Sequence, residues 1–560
     1  MDRLRSLIRR DTLREDAIAG VVLGVESVPD GLAGGLLAGV NPVYGLYAYM
    51  YGTFTGGLFT SSSFMAVQAT GAMAIVVADV GIVHTAEDPA RMLFTLTIVT
   101  GVIMLLAGLF KAGSILRFVS NAVMVGFINA VGINIILGQL DNFTGYEGQG
   151  ANRVVRAFDL LLNFGMVHWP TLAVGVATIV LIIVLEKTKL GPLGMVVAII
   201  MTSGVAAVLS LEIAVLNDIA DIPNRLPFPV MPLFGSIPAL LVPGLSLAFI
   251  GLVQGAGISA NFPDEDGNYP DASQDFVGQG AANIVAGIWQ GMPVGGSMSA
   301  SSLVKNAGAR SRTALLIAGV IMAVVILVFG NVVGYIAMPA LAGLLMTVGY
   351  RTVKPADIKA VWKTGAVQAT VMSVTFILTM IIPLQNAVLV GVGISMILYI
   401  INQSNQVTLK RWIPDGEGNL READPPKAVG EDEIIVLQPY GSLFFAAAPV
   451  FEELLPDAVS DTNNSVIILR LRGRTDLGST FMDVLRRYAE DLNASNSKLV
   501  IISADERIHE QLAVTRVTAA VGTENIYTSD EWVGATLKRA HGDAVSWVES
   551  KGTDVEDSTP

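Results

Sequence analysis

The chain has 560 residues, of which 52% are hydrophobic and only 15% charged, with 57 glycines, no cysteine and a formal charge of −13 at pH 7. An ordinary soluble domain carries about 25% charged residues, so a mean hydropathy of +0.59 assigns most of this chain to lipid. The acidity excludes a nucleic-acid partner, and the lack of cysteine excludes disulfide scaffolds, thiolate metal sites and cysteine nucleophiles.

Residues 1–15 form a basic N-terminus with Arg3, Arg5, Arg9, Arg10 and Arg14. The apolar run behind it contains Pro29 and Asp30 and no small-residue cleavage site, so it reads as a retained first span. Residues 16–412 hold recurrent apolar segments. About fourteen spans are expected, full crossings taking about 20 residues and broken helices fewer. They centre near Val22, Tyr49, Ala72, Ile103, Val125, Ile179, Ile199, Ile250, Ile284, Val304, Ile321, Leu341, Thr375 and Gly393. Cations collect in the even-numbered breaks: Lys111 with Arg117, Lys187 with Lys189, Arg310 with Arg312, and Arg351 through Lys363. The positive-inside rule then puts both termini in the cytoplasm and the chain in the plasma membrane, although Arg153 and Arg156 sit on an outward break.

Past Trp412 the composition changes. Residues 413–432, rich in Pro, Gly and charge, read as a linker. Residues 433–545 alternate short β-rich runs such as SVIILRLRG and KLVIISAD with helical patterns, which predicts a small α/β domain with a mostly parallel sheet. Residues 546–560 read as an acidic, disordered tail.

The chemistry is conspicuous for what it lacks. The four histidines are scattered, and there is no HExxH, Walker A or GxSxG motif, so no metal, cofactor or enzyme activity is expected. A gradient-driven carrier needs only a mid-membrane site where helices break and their N-terminal dipoles point at the solute. Two segments look like such breaks. In Phe64–Val76, Gln68 and Thr70 interrupt an apolar run beside Gly71. In Gly291–Thr313, Pro293, Gly295 and Gly296 stop a helix and Ser297 caps the next, with Ser299, Ser301 and Ser302 behind it. Backbone N–H groups and hydroxyls there suit an anion; the same small residues also serve tight helix packing. The two segments are third and tenth in order, corresponding places in two halves of seven. Glu26 and Asp30 flank Pro29 at membrane depth, where an acid marks function unless it lies at a water-filled helix break. Gln254 suits either ligation or helix bridging, Asp79 sits near a span end, and Lys305 lies about two turns past Ser297, where snorkelling alone would explain it.

The run GVESVPDGLAGGLLAGVNPVYGLYA (Gly24–Ala48) resembles the first two spans of the sulfate permease family, which includes the animal sulfate, iodide and chloride/bicarbonate exchangers and prestin. The stretch SQDFVGQGAANIVAGIWQGMPVGGSMSASSLVKNAGARSRT (Ser273–Thr313) resembles that family's ninth and tenth spans, and residues 433–545 resemble its cytoplasmic STAS domain. The resemblance implies an α-helical polytopic membrane protein with 14 transmembrane segments in a 7+7 inverted repeat, divided into core and gate domains. It implies a homodimer, and an anion held between the N-termini of the third and tenth helices. Carried over by position, the substrate-binding residues are Ser27, Asp30, Gln68, Ala69, Thr70, Gln254, Ser297, Ser299 and Ala300. Departures matter here: Gln68-Ala69 replaces a frequent Gly-Pro, Ala300 a frequent arginine, Gln254 a frequent acid, and Asp30 a frequent amide. A site that loses a cation and gains a carboxylate calls for a co-transported proton or sodium, with Glu26 and Asp30 as the coupling groups. In the STAS-like domain, Thr475, Asp476, Ser479 and Thr480 mark a strand-to-helix turn that suits a phosphate or simple capping.

The expected function is secondary-active transport of a small inorganic anion across the bilayer. The alternatives are a non-transporting membrane sensor or scaffold signalling through its STAS domain, and a nucleobase carrier of the same helix plan. Sulfate, bicarbonate, chloride, nitrate and small carboxylates fit the pattern equally.

Overall fold

The computed structural model describes residues 10–111, 120–264, 267–404, 406–414, 420–471, 477–503, 506–528 and 534–556. It divides into two compact units, residues 1–395 and 396–560.

The first unit is helical. In chain order its principal elements are α1 (Leu13–Leu37), α2 (Pro42–Phe59), β1 (Ala66–Gln68), α3 (Gly71–Asp79), α4 (Pro89–Leu109), α5 (Asn121–Gly138), α6 (Trp169–Glu186) and α7 (Leu193–Val208). There follow α8 (Ile237–Asn261), α9 (Ala272–Ile288), β2 (Gly295–Ser297), α10 (Met298–Asn306), α11 (Thr313–Val333), α12 (Met338–Thr352), α13 (Ala366–Ile381) and α14 (Leu384–Ser404). All fourteen predicted centres fall inside these helices. Six described segments are long and apolar enough to cross a membrane by length and composition. The third and tenth helices cannot do so, because each has only nine residues and follows a three-residue strand.

Two sequence expectations change at α1. It begins at Leu13 rather than after residue 15, and it runs through Pro29 without a break. Proline removes one ladder bond, but helix neighbours on every side hold the course: the unit's largest core includes Val28, Leu32 and Leu46.

Small residues set the helix spacing, as membrane helices require when no hydrophobic drive brings them together. At the α4–α9 crossing, a Cβ on Gly280 would lie 2.5 Å from the Leu105 nitrogen and 2.8 Å from the Gly101 oxygen. Any larger residue would separate the pair. On the outer faces, Val176, Val180, Ile183 and Val184 of α6 and Ile200, Met201, Val205 and Val208 of α7 are exposed, a surface only lipid would solvate well.

Two acids inside this unit are pinned. Asp16 accepts hydrogen bonds from the N–H groups of Arg310 and Ser311 (2.7 and 2.9 Å) and from the hydroxyls of Ser311 and Thr12 (2.6 and 2.9 Å). Asp275 is fully buried and accepts from the Ser61 N–H and hydroxyl (2.6 and 2.8 Å), the Ser62 N–H (3.0 Å) and the Ser259 hydroxyl (2.6 Å).

The second unit is α/β. Its six-stranded sheet has the order β10-β9-β8-β6-β3-β4, from β3 (Thr408–Pro414), β4 (Leu420–Ala423), β6 (Ile434–Tyr440), β8 (Val466–Arg470), β9 (Lys498–Ser503) and β10 (Ile526–Thr528). The β6, β8, β9 and β10 neighbours are parallel, and β3 is antiparallel to both β4 and β6. β5 (Ala428–Glu431) pairs separately with β7 (Asp457–Asn463). One sheet face packs on α15 (Ser479–Ala494) and α16 (Glu506–Val514), and the other on α17 (Ala535–Glu556) through Leu537, Ala540 and Ala544.

Two boundaries are thereby corrected. Residues 413–432 are not a free linker, because the end of β3 together with β4 extends the sheet and β5 pairs with β7. The stretch from 546 is not disordered throughout, because α17 continues to Glu556 with Trp547 and Val548 against the sheet.

The contrast between pinned and peripheral acids is measurable. Asp275→Ala removes the shared acceptor of four donors, leaving the Ser61 and Ser62 N–H groups without their carboxylate partner, and is expected to cost about 3 kcal/mol, read as a large fall in melting temperature of the detergent-solubilised protein. Asp424→Ala, which removes an exposed partner of Lys410, leaves the melting temperature unchanged. Equal behaviour of the two variants would contradict the assignment.

Candidate functional site

The two predicted breaks meet. β1 and β2 pair antiparallel, Ala66 with Ser297, Val67 with Gly296 and Gln68 with Gly295. Because the strands run oppositely, α3 and α10 leave the ribbon from opposite ends, and their N-termini turn toward one another.

This ribbon exists because its flanks allow it. α8 presents Gly251 and Gly255, and a Cβ on Gly295 or Gly296 would lie 2.8 Å from the Gly251 Cα or 2.9 Å from the Gly255 Cα. Backbone thus packs directly on backbone. Polar side chains of α9 then satisfy the broken strand: Asn283 accepts from the Val294 N–H (2.9 Å) and donates to its carbonyl (2.6 Å), while Gln279 accepts from the Gly296 N–H (3.0 Å). Ser301 accepts from the Ala66 N–H at 3.0 Å, and the Tyr49 hydroxyl donates to the Ala69 carbonyl at 3.0 Å.

The predicted binding residues assemble around the two helix starts. Thr70 caps α3, accepting from the Met73 N–H (3.4 Å), and its hydroxyl donates to the Gln254 Oε1 at 3.0 Å. Ser297 caps α10, accepting from the Ala300 N–H (3.4 Å), and shares a hydrogen bond of 3.2 Å with Ser299. Buried Gln68 donates to Ser27 (2.9 Å) and Thr53 (3.2 Å). Among the described residues, no acceptor meets the N–H groups of Gly71 and Ala72 or of Met298 and Ser299. Two free donors therefore remain at each helix start, beside the Gln254 amide and the exposed Ser299 hydroxyl. Neutral donors so arranged suit an anion.

The acids divide. Asp30 is half-buried one turn past Glu26 on α1 and stands beside Tyr49, whose hydroxyl reaches Ala69 at the start of α3. Glu26 is buried at 8% exposure. Asp79 is no part of the site: it ends α3, pairs with Arg153 at 2.9 Å and accepts from the Leu384 N–H at 3.1 Å. Ala69 and Ala300 are buried and contribute backbone only.

Sequence reasoning missed Thr53, Tyr49, Gln279 and Asn283. A signal for two of them was present: Asp275, Gln279 and Asn283 recur every four residues, one polar stripe on an apolar helix. Of the STAS candidates, Thr475 and Asp476 lie outside the described residues. Ser479 and Thr480 are exposed at the start of α15, whose N-cap is Gly478 with no side-chain cap bond.

Comparison with known proteins gives the family and the fold. A profile of the sulfate permease family matches residues 13–375, and one of the STAS domain matches residues 425–531. The putative sulfate transporter YvdB of Bacillus subtilis is 25% identical over 523 residues, covering 92% of this chain and 96% of that protein. The putative sulfate transporter YbaR of the same organism is 28% identical over 396 residues, 69% of this chain and 77% of that protein. The fold matches murine Slc26a9 in its inward-facing state with a TM-score of 0.81 at 17% identity, over 96% of this chain and 93% of that one. The transmembrane domain of a cyanobacterial bicarbonate transporter, BicA, matches with a TM-score of 0.60 at 22% identity, over 69% of this chain and 98% of that one.

The Thr70–Gln254 bond joins α3 to α8 across the site. A double-mutant cycle with Thr70→Val and Gln254→Leu is expected to give a coupling energy of about 0.5–1.5 kcal/mol in thermal unfolding. Strictly additive effects would show the two side chains to be independent.

Proposed function

The chain belongs to the sulfate permease family, a family of membrane transporters rather than enzymes, and on that premise we propose that it moves a small inorganic anion across the plasma membrane by secondary-active alternating access. The observation that carries this reading is the pair of unsatisfied helix starts, α3 and α10, joined by the β1–β2 ribbon. The substrate class follows from the donors. Four backbone N–H groups, an amide and a hydroxyl bind an oxyanion or halide without a fixed cation. Sulfate is the first substrate to test, since YvdB and YbaR carry that name, with bicarbonate second after BicA.

Coupling follows from charge. With Ala300 in the first turn of α10 and no lysine or arginine among the site residues, Glu26 and Asp30 oppose an incoming anion. Proton uptake by one of them, most directly Asp30, cancels the repulsion, so the anion travels with a proton. Cytoplasmic termini, a homodimer, and a docking role for the STAS domain complete the proposal.

Reconstituted vesicles test it. Saturable uptake of labelled sulfate or bicarbonate is expected, stimulated several-fold by an inwardly directed proton gradient. Uracil uptake alone would favour a nucleobase carrier, and anion binding without flux would favour a sensor or scaffold. With Glu26→Gln and Asp30→Asn combined, the stimulation by the gradient disappears; if the double variant responds to pH like the parent, the proton-coupling assignment fails.

A further inference from the structure

We propose that Lys305, at the far end of the α10 half-helix, is the electrostatic funnel that draws anions into the site from the membrane face on which α1 begins; this rests on the anion-carrier reading. Three observations converge on it. First, Lys305 is the only cation between Gly291 and Asn306, and it is half-buried in a span, where an ionised group demands a reason. Second, no carboxylate among the described residues pairs with it. Its ammonium instead stands 5.2 Å from the ring centres of both Phe64 and Phe262. Ring faces hold a cation in place without neutralising it, so its field remains available to a solute. Third, α10 is two-sided. Ala300, Ser301 and Val304 are buried, whereas Ser299 is exposed, Ser302 and Lys305 are partly exposed and Asn306 is exposed. A polar strip thus leads from the free N–H groups of Met298 and Ser299 to Lys305. The bonds from the N–H groups of Arg310 and Ser311 to Asp16, near the start of α1, place this end of α10 on the membrane face where α1 begins.

The arrangement separates two tasks. The binding site stays free of a fixed cation, so a bound anion can leave, while the cation that raises the local anion concentration stands about two turns away. Steering by one charge alters association more than final affinity.

The chain has no cysteine, so one introduced thiol reports the local potential directly. In the full-length protein reconstituted in vesicles, Ser302→Cys, three residues from Lys305 on the same strip, is treated with impermeant sulfonatoethyl and trimethylammonium-ethyl methanethiosulfonates applied from either face. Labelling is expected only from the face where α1 begins, with the anionic reagent favoured. Adding Lys305→Gln lowers the anionic-to-cationic rate ratio about fivefold or more, and Lys305→Arg preserves it. An unchanged ratio in Lys305→Gln, or no labelling of Ser302→Cys from either face, overturns the proposal. A lysine that only snorkels away from the strip would leave the anionic-to-cationic ratio at Ser302→Cys the same with and without Lys305→Gln. The readout needs no transported substrate, so a chain that moves no anion would refute the carrier reading while still reporting on the funnel.

Discussion

Interrupting two helices at membrane depth leaves backbone polar groups that no water can satisfy, and the organisation of the first unit follows from meeting that demand. The β1–β2 ribbon pairs six buried residues of the two breaks with one another. Side chains finish what the ribbon cannot: Asn283 and Gln279 serve the second break, and Ser301 and Tyr49 serve the first. Each buried N–H left unmade would cost about 1–3 kcal/mol, so these residues are conditions for having the breaks at all. The groups that remain free are confined to the helix starts, which is why they are available to a solute.

The same demand separates the acids fixed by hydrogen bonds from the two proposed for coupling. Asp16 and Asp275 each accept four hydrogen bonds and fasten loops beside the broken helices. A carboxylate so engaged is a structural acceptor held in place by its donors. Asp79 is likewise consumed by Arg153 and the start of α14. Glu26 and Asp30 differ in kind: they share one face of α1 at a four-residue spacing and border the residues that line the site. Glycine packing lets α8 lie against β2 closely enough for Gln254 to reach Thr70, which brings the amide to the start of α3.

Much of this is legible in the chain itself. Span-length hydropathy locates fourteen helices, and Pro293, Gly295 and Gly296 announce the second break, since few residue types stop a helix so firmly. The first break is fainter, because Gln68-Ala69 carries no backbone signal of its own, and its extended form is imposed by a partner strand more than 200 residues away. Three-residue strands cannot be read from a period of two. The misread linker has the same cause: Leu420–Ala423 is an exposed, charged strand that exists only because β3 pairs with it. The extent of α17 was readable, since Leu537, Ala540, Ala544 and Trp547 repeat at three or four residues, but its acidic end hid the pattern.

A net charge of −13 therefore says nothing against an anion site, because the local balance is what counts. Two helix N-termini bring about half a positive charge each, roughly one in total, against the two carboxylates Glu26 and Asp30. An empty, fully ionised site is thus net negative by about one charge, and a monovalent anion would double that. In the proposed cycle one proton would restore the balance when the anion binds, and its departure would let the acids repel the anion again. A permanent cation in the first turn of α10 would make binding tighter and independent of pH, but it would also slow release, since the attraction would persist after the solute reached the other side. With Ala300 in that turn, the proposed coupling would move the positive charge from the protein to the cargo, and the proton gradient, rather than the anion gradient alone, would be the source of work.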